Sequence, residues 1–382
     1  MYKKKIAHFG TFDVDNYGDL LFPHIAEYRL PNLDWQHISP TSNKTGFEDA
    51  KNIISFREAS NIKFDAMVTG GGNILHLLQN SNTVYNKMPG FEYANLWVGA
   101  SKLAAKQEVP HIFNSPGVSR IFNQKIEVAI AAKTFKKSSY VSVRESYSKN
   151  LIRNIWKEEN SVKIVPDTAF DIAKMWPVEQ KSNGKYIVVN LNPRYHNPIQ
   201  ETVLYLERIS NKLNMPIKFV IIGACHGDKD FTVEVANKLK VPYELNEVQS
   251  LKEIAHLIAN AELFFGSSMH GLITALSYET PAFLVLNNNP MHKFIGLFEM
   301  IEHKRAFIYS SFQIVYQNLN YPIILKSEVK QKIEEDLNFH WGIVNRIINT
   351  GRKVSNNFFI NNYEIFLRLN SKKNDWKGKI AK

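Results

Sequence analysis

The sequence is poor in cysteine, with Cys225 as the single one among 382 residues. A lone cysteine excludes an internal disulfide framework, and no Cys/His spacing typical of a structural zinc site occurs. Long apolar runs are also missing, because no stretch approaches the roughly 18 apolar residues that a membrane-spanning helix needs. Residues 1–5 lead into a short apolar segment without the apolar core of a signal peptide. We therefore expect a soluble protein of the reducing cytoplasm.

The charge of the chain is unevenly distributed. There are 47 Lys and Arg residues against 36 Asp and Glu residues, a formal net charge of +11. More than half of this excess lies in the last stretch, where Trp376 and other aromatic residues are interleaved with lysines and arginines. That pattern suits an anionic membrane surface, and it suits a solvated terminal helix equally. Nucleic-acid binding is not expected, because no zinc-finger spacing, RNA-recognition aromatic pair or heptad-bearing basic region occurs.

Short β-rich apolar runs alternate with helical patterns in the first half, which is typical of a parallel sheet covered by helices. The predicted strands cover 5–9, 65–69, 111–114, 140–143 and 162–165, and the predicted helices cover 93–107 and 146–156. The polar segment 179–185 contains no apolar residue and is the predicted linker.

The alternation begins again after the linker. The predicted strands cover 186–190, 217–222, 263–265 and 282–286, and the predicted helices cover 199–213, 232–239, 251–260 and 271–278. We predict an α/β protein with an N-terminal Rossmann-like domain (1–178), a C-terminal Rossmann-like domain (179–325) and a helical segment with the basic tail (326–382). The two sheets would present the carboxyl ends of their strands to a shared cleft, where such folds bind ligands.

The segment 267–271 lies between a predicted buried strand and a predicted helix. A serine pair there can cap the helix, whose free N–H groups and dipole favour an anion. His270 can transfer a proton near neutral pH or donate to a phosphate oxygen. The alternative is a histidine that only bonds neighbouring backbone at a turn. The candidate anion-binding residues of this segment are Ser267, Ser268 and Gly271.

The glycines Gly70–Gly72 follow the strand at 65–69. They let the backbone approach a ligand closely and leave several N–H groups free to point at it. The segment is neither a Walker loop nor a dinucleotide fingerprint, and a tight strand-to-helix turn explains it equally. The candidate cleft residues near the two first-half loops are Asn16, Gly71, Gly72 and Asn73.

Two arginines stand at the ends of predicted strands. Arg144 directly follows the strand at 140–143, and its forked guanidinium suits a carboxylate or a phosphate; a surface ion pair with Glu145 is the other interpretation. Arg194 follows the first strand of the second half and points to the same cleft. Asp19 either caps the first helix, the more frequent role for its residue type, or acts as a base. The segment 225–228 carries metal-ligand residue types without partners at ligand spacing, so we predict a loop there.

In their order and spacing these segments resemble the polysaccharide pyruvyl transferase family. The resemblance spans roughly residues 5 to 286 and rests on Asn16–Asp19, Asp65–Gly72, Gly117, Val143–Glu145, Pro166–Phe170, His270–Gly271 and Pro281. It implies a glycosyltransferase-B-like architecture with the acceptor on the N-terminal side and the donor on the C-terminal side. It also implies transfer of a pyruvyl group from phosphoenolpyruvate to a sugar of a bacterial surface polysaccharide, or to its lipid-linked precursor, as a ketal.

Roles follow from this resemblance position by position. His270 matches the acid/base histidine of the family, and Arg144 matches an arginine that binds phosphoenolpyruvate. Ser268 stands where many members carry an arginine, so Arg194 becomes the candidate second cation for the donor. Asp19 is the candidate base. The resemblance implies no metal or redox cofactor, and it implies phosphoenolpyruvate and a glycan acceptor as partners, at the inner face of the cytoplasmic membrane if the tail binds lipid.

Two other functions stay open from the residues alone. A glycosyltransferase with a nucleotide-sugar donor would use the same loop around His270, with Glu279 as the single acidic residue near the position that often holds the ribose. A glycan-binding or scaffolding protein without catalysis is the third interpretation. Fold resemblance cannot choose among them, because function depends on the site.

Overall fold

The computed structural model describes residues 2–88, 90–158, 161–178, 185–196, 198–246, 250–287, 292–304 and 307–369. These residues form two parallel sheets, one in each half of the chain. The first sheet has seven strands in the order β3-β2-β1-β4-β5-β6-β7, and the second has six in the order β10-β9-β8-β11-β12-β13. The predicted α/β class with two Rossmann-like sheets is confirmed.

The first sheet is flanked by helices on both faces. Its strands are β1 Lys5–Phe9, β2 Asp34–Ser39, β3 Ile53–Ser55, β4 Ala66–Gly70, β5 His111–Asn114, β6 Tyr140–Val143 and β7 Val162–Ile164. Its helices are α1 Tyr17–Arg29, α2 Phe56–Ala59, α3 Glu92–Ala94, α4 Ala100–Gln107, α5 Lys125–Lys137, α6 Ser146–Ile155 and α7 Ile172–Met175, with a π-helical segment at Asn95–Gly99 that joins α3 to α4.

The second sheet repeats this arrangement. Its strands are β8 Ile187–Asn190, β9 Ile217–Val220, β10 Tyr243–Asn246, β11 Leu263–Gly266, β12 Ala282–Val285 and β13 Ile308–Tyr309. Its helices are α8 Ile199–Leu213, α9 Asp228–Ala236, α10 Leu251–Ala259, α11 Met269–Ser277, α12 His292–Met300 and α13 Phe312–Gln317. The chain then returns to the first half as α14 Ser327–Thr350 and α15 Phe358–Asn361.

The predicted strands are all present, within two residues at either end, whereas β2, β3, β10 and β13 were missed. The predicted helix at 232–239 begins four residues too late, because α9 starts at Asp228. The segment predicted as a loop at 225–228 is instead a 3₁₀ turn (Ala224–His226) running into that helix. The predicted linker at 179–185 lies outside the described residues except for Lys185, as does the tail after residue 369.

One hydrophobic core lies between the two halves. It combines side chains of α1 with those of α10, α11 and α14, among them Leu21, Ile254, Leu272 and Trp341, all of them almost fully buried. Two further cores cover the outer faces of the sheets. Since apolar burial is the main favourable term in folding, the halves stabilise each other. Within the described residues, no helix is both long and apolar enough to cross a bilayer.

Polar contacts also cross between the halves. The Tyr17 backbone N–H at the start of α1 donates to the Ile222 carbonyl at 2.9 Å, and the Tyr17 hydroxyl lies 3.0 Å from the Thr274 hydroxyl. Asp49 of the first half caps α10 of the second, accepting from the Leu251 N–H at 2.7 Å and from the Lys252 N–H at 3.0 Å. These contacts set the positions of the loops that meet between the sheets.

Candidate active site

A cavity of about 200 Å³ lies where the carboxyl ends of the two sheets meet. In each sheet the strand order reverses beside the first strand, between β1 and β4 and between β8 and β11. Ligands of open parallel sheets bind at such reversal points. Here both points open onto the same cavity. Of the residues predicted to form the site, those on its wall are Asn16, Asp19, Gly72, Asn73, Arg144, Arg194, Ser267, Ser268 and His270.

His270 lies in the first turn of α11. The Ser268 side chain caps this helix by accepting from the Gly271 N–H at 3.2 Å, as the serine pair predicts. The imidazole packs against the start of α1: a Cβ placed on Gly18 would lie 1.7 Å from His270 Nδ1. The Phe22 ring meets the imidazole edge-on, with centroids 5.6 Å apart. The absence of a side chain at Gly18 therefore makes room for the histidine.

Asp167 lies beside this histidine. Its Oδ2 is 3.6 Å from His270 Nε2 and accepts from Arg144 Nη1 at 3.0 Å. Its Oδ1 accepts from the Ala169 N–H at 3.1 Å. Burial raises the pKa of Asp167, but His270, Arg144 and the Ala169 N–H together lower that pKa to about 2. The carboxylate is therefore ionised and can orient the imidazole. No role for Asp167 was predicted from the sequence.

Arg144 is held by two carboxylates. Besides Asp167 it contacts Glu145, with 3.2 Å between Nε and Oε2, and all three side chains are at most 4% exposed. The interpretation of a surface ion pair between Arg144 and Glu145 is wrong, because the pair is buried. The guanidinium reaches the cavity wall, so its donor-binding role stays a prediction.

Asp19 does not cap α1, contrary to the more frequent role of its residue type. The cap is Asn16, whose side chain accepts from the Gly18 N–H at 3.1 Å, and Asp19 is the third residue of the helix. Burial raises the pKa of the Asp19 carboxyl, while His270, a hydrogen bond from Thr11, Arg144 and Lys293 oppose that rise. A carboxyl with a raised pKa, on the wall of a cavity, is suited to accepting a proton.

The glycine loop after β4 supports this carboxylate. Gly71 and Gly72 have φ angles of +83° and +67°, which glycine adopts without strain. A Cβ on Gly72 would lie 2.7 Å from Asp19 Oδ1, and one on Gly71 would lie 2.1 Å from Phe22. Gly72 and Asn73 line the cavity, whereas Gly71 and Gly271 lie outside its lining.

Three buried polar atoms at the cavity have no hydrogen-bond partner among the described residues. They are Ser267 Oγ, His270 Nε2 and Asn190 Oδ1. Burying a polar atom without a partner costs about 1–3 kcal/mol, and such atoms in a cavity are where a ligand would restore the lost bonds. The convergence of three of them makes this cavity the candidate active site.

Two charged residues on the second-half wall, Asp228 and Lys293, were not predicted from the sequence. Asp228 accepts from Asn192 Nδ2 at 2.9 Å and from the Gly223 N–H at 3.0 Å, and burial raises its pKa to about 7 despite these bonds. Lys293 enters the cavity from α12, and burial together with Arg144 lowers its pKa to about 8. Asp228 was assigned to a loop, and no motif surrounds Lys293.

Within the described residues, no group of three or more His, Cys, Asp or Glu side chains is placed to hold a metal ion.

Solved structures share the fold of this chain. The S. aureus MnaA–UDP co-structure aligns with a TM-score of 0.54 at 12% identity, covering 96% of this chain and 98% of that one. Methanocaldococcus jannaschii UDP-GlcNAc 2-epimerase, in complex with UDP-GlcNAc and UDP, aligns with a TM-score of 0.52 at 15% identity, covering 89% of this chain and 100% of that one. At these identities the likeness shows the fold alone, which is the predicted glycosyltransferase-B-like architecture.

Comparison with curated protein sequences finds no match. Comparison with protein families finds one, polysaccharide pyruvyl transferase, over residues 16–290. The matched region includes the second reversal point, the Asp167–Arg144 pair and His270. It covers well over half of the chain and agrees with the resemblance seen in the motifs. The chain therefore belongs to the polysaccharide pyruvyl transferase family.

Proposed function

We propose that the protein transfers the pyruvyl group of phosphoenolpyruvate to two hydroxyls of a sugar, forming a ketal on a bacterial surface polysaccharide or its lipid-linked precursor. Beside the family membership, one observation carries the proposal. His270 lines the cavity, and its buried Nε2 has no hydrogen-bond partner among the described residues and lies 3.6 Å from the ionised Asp167. A histidine held in this way is available to give a proton to a substrate atom.

The reaction balances with these groups. His270 donates a proton to the methylene carbon of phosphoenolpyruvate, which becomes a methyl group, and the neighbouring carbon becomes cationic. One sugar hydroxyl attacks that carbon and loses its proton, the C–O bond to phosphate breaks, and a second hydroxyl closes the ketal. Asp19, whose pKa is raised by burial, is placed to accept a hydroxyl proton. Inorganic phosphate leaves, and no atom is oxidised or reduced.

The size of the cavity favours a small donor. Its volume is about 200 Å³, below the roughly 300–1,000 Å³ of pockets that hold drug-sized ligands. Phosphoenolpyruvate has three carbons and one phosphate, whereas a nucleotide sugar carries a base, a ribose, two phosphates and a sugar. Phosphoenolpyruvate is small enough for a cavity of this size.

Glu279, the candidate ribose-binding residue of the nucleotide-sugar alternative, lies outside the cavity lining. It follows the end of α11 with a φ of +59° and pairs with Lys330 of α14. The residue that would support a glycosyltransferase thus takes part in a contact between α11 and α14.

The test is turnover and binding with both donors. Parent protein and His270→Ala are incubated with phosphoenolpyruvate and sugar acceptors, and phosphate release is measured. We expect His270→Ala to lower kcat by about 10²–10⁴-fold, the usual contribution of a general acid, with an unchanged melting temperature. His256→Ala, on α10 and outside the cavity lining, is the matched control and should keep full activity. The proposal would be refuted if the parent protein neither bound phosphoenolpyruvate nor released phosphate from it, and if its melting temperature rose with a nucleotide sugar.

We also propose that the protein binds an anionic membrane on the cytoplasmic side and that its acceptor is located at this membrane. Along the C-terminal helical region Phe358, Ile365 and Leu369 are 69%, 57% and 62% exposed. The buried Ile360 and Leu367 hold this region on the first half. The lysines that follow in the sequence would complement anionic lipid, each worth about 1 kcal/mol near such a surface.

Vesicle sedimentation tests this contact. Phe358→Ser and a truncation after residue 369 should each weaken binding to vesicles containing phosphatidylserine at low salt, and turnover of a short soluble acceptor should stay unchanged. Phe339→Ser is the matched control, because Phe339 is equally exposed on α14. Equal vesicle binding by all four proteins would contradict the proposal.

A further inference from the structure

Asn190 is the last residue of β8, beside the point at which the strand order of the second sheet reverses, and it lines the cavity. Its side chain is almost fully buried. Nδ2 donates to the Val220 carbonyl of β9 at 3.3 Å. Because a carbonyl oxygen can only accept, this bond fixes the amide with its nitrogen toward β9. The buried Oδ1 has no hydrogen-bond partner among the described residues.

Two comparable asparagine oxygens are paired within the protein. Asn114, the last residue of β5 in the first sheet, accepts at Oδ1 from His340 Nε2 at 2.6 Å. Asn192 lines the cavity two residues after Asn190, and its Oδ1 accepts from the Arg194 N–H at 3.0 Å. Buried polar atoms are normally hydrogen-bonded. The unpaired oxygen of Asn190 therefore indicates a ligand that supplies a hydrogen-bond donor.

Phosphoenolpyruvate cannot supply that hydrogen. In its ionised form it carries a carboxylate, a phosphate group and one bridging oxygen, and all of these only accept hydrogen bonds. A sugar differs, because each of its hydroxyls donates one hydrogen bond and an acetamido substituent donates through its N–H. The unpaired oxygen thus suits the acceptor sugar and not the phosphoenolpyruvate.

The carboxyl group of Asp228 strengthens this distinction. Asp228 lines the same cavity and is bonded by Asn192 Nδ2 at 2.9 Å and by the Gly223 N–H at 3.0 Å, and a hydrogen bond from Asn190 lowers its pKa. An anion placed against Asn190 would approach this carboxylate. Arg194 offsets part of that charge, yet an anion would still leave Asn190 Oδ1 without a hydrogen-bond donor.

We infer that Asn190 binds the acceptor sugar, accepting at Oδ1 from one of its hydroxyls or from an acetamido N–H. This inference rests on the proposed function and extends it, because the family resemblance placed the acceptor on the N-terminal side. The sugar would then contact Asp19 of the first half and Asn190 of the second. Both walls of the cavity would contribute to the choice of acceptor.

The first experiment measures KM separately for the two substrates by phosphate release. The acceptor probes are the methyl glycosides of glucose, galactose, mannose and N-acetylglucosamine. Asn190→Ser removes the amide oxygen, and Asn190→Leu removes it while keeping the volume of the side chain. We expect both variants to raise KM for the sugar about tenfold, the value of one hydrogen bond, and to leave KM for phosphoenolpyruvate unchanged. Asn114→Ser is the matched control, a buried strand-end asparagine outside the cavity lining, and should keep both KM values.

The second experiment removes the partner from the sugar instead of from the protein. The parent and Asn190→Ser are assayed with the best accepted glycoside and with its forms that lack one hydroxyl or the acetamido group. We expect the parent to lose about tenfold with one of these forms, whereas Asn190→Ser should use that form and the full sugar equally well, because the two changes remove the same bond. The form that shows this behaviour identifies the group bound by Asn190.

The outcomes separate this inference from the proposed function. Phosphate release with an unchanged sugar KM in both Asn190 variants, or a rise in KM for phosphoenolpyruvate alone, overturns the role of Asn190 and leaves the proposed function standing. A parent that uses every altered glycoside as well as the full sugar also overturns it, whether or not the variants fold. A parent that does not use phosphoenolpyruvate refutes the proposed function; calorimetric binding of a glycoside that is lost in Asn190→Ser would then still support the sugar contact. A parent that neither binds nor uses any of the glycosides overturns the inference.

Discussion

The contact between Gly18 and His270 allows the candidate active site to be tested without changing any polar group. Gly18→Ala adds one methyl group to α1, and its Cβ would lie 1.7 Å from His270 Nδ1 and 2.3 Å from Cγ. To reach an ordinary contact distance, the imidazole would have to move by roughly 1.7 Å. A displacement of about 1 Å can cost a hundredfold in rate.

The effect on stability should be much smaller. Overpacking typically costs about 1–3 kcal/mol, and replacing a helical glycine by alanine returns up to about 1 kcal/mol. We therefore expect the free energy of unfolding of Gly18→Ala to fall by about 2 kcal/mol or less, while kcat with phosphoenolpyruvate falls a hundredfold or more. Gly342→Ala is the matched control, since a Cβ there has no atom within 4 Å. It should gain about 1 kcal/mol of stability and keep parental activity.

Urea unfolding and phosphate-release kinetics on the same preparations measure the two effects. The double variant Gly18→Ala/His270→Ala should be no slower than His270→Ala, because both changes act on one imidazole and should not add. Turnover by Gly18→Ala within a few-fold of the parent would refute the argument that this ring must stay against α1 for the reaction.

Two further predictions concern the buried charges and histidines. Arg144→Met leaves Glu145 and Asp167 buried without their cation, so the free energy of unfolding should fall by about 3–5 kcal/mol in urea titrations; a parental value would show that the pair contributes nothing. Burial also lowers the pKa of four histidines to about 3, and they are His76, His111, His196 and His340. Because each is neutral when folded but binds a proton below about pH 6.5 when unfolded, their contribution is complete above pH 6.5 and is lost as the pH falls toward 3. At pH 5 the stability lost relative to neutral pH is about 2 kcal/mol per histidine. An unfolding free energy that stays constant from pH 7.5 to 5 would contradict this prediction.

The strands that could be predicted are those with strongly apolar, β-branched sequences. The run at 187–190 (Ile-Val-Val-Asn) is buried throughout, as continuous strands of parallel sheets usually are. β2 was missed because its sequence is Asp-Trp-Gln-His-Ile-Ser, which has no apolar periodicity. His37 of this strand is buried all the same, because it bonds His8 and Glu27. Its burial depends on a polar network that only the folded chain creates.

In the candidate site, too, some features could be predicted from the sequence and others could not. Strand-end positions placed Arg144, Arg194 and His270 at one cleft, because topology alone brings the carboxyl ends of parallel strands together. The partners of these residues could not be predicted in the same way. Asp167 follows β7 and reaches His270 only through the packing of the two halves, and Lys293 belongs to a helix that sequence analysis did not assign. Side-chain pairing between distant segments depends on tertiary packing, which cannot be predicted from local sequence patterns.

The return of α14 and α15 to the first half has a consequence for synthesis of the chain. His340 Nε2 of α14 donates to Asn114 Oδ1 of β5 at 2.6 Å, across 226 positions, and the Tyr363 hydroxyl donates to Asn95 Oδ1 across 268 positions. While the ribosome is still translating the second half, the surfaces of the first half that these helices cover remain exposed to water. The N-terminal half therefore cannot finish folding while it emerges from the ribosome. Its packing is complete only after α14 and α15, which follow the whole second half in the sequence, have left the exit tunnel. Such long-range closure slows folding and makes the nascent chain a client for chaperones that shield apolar surface.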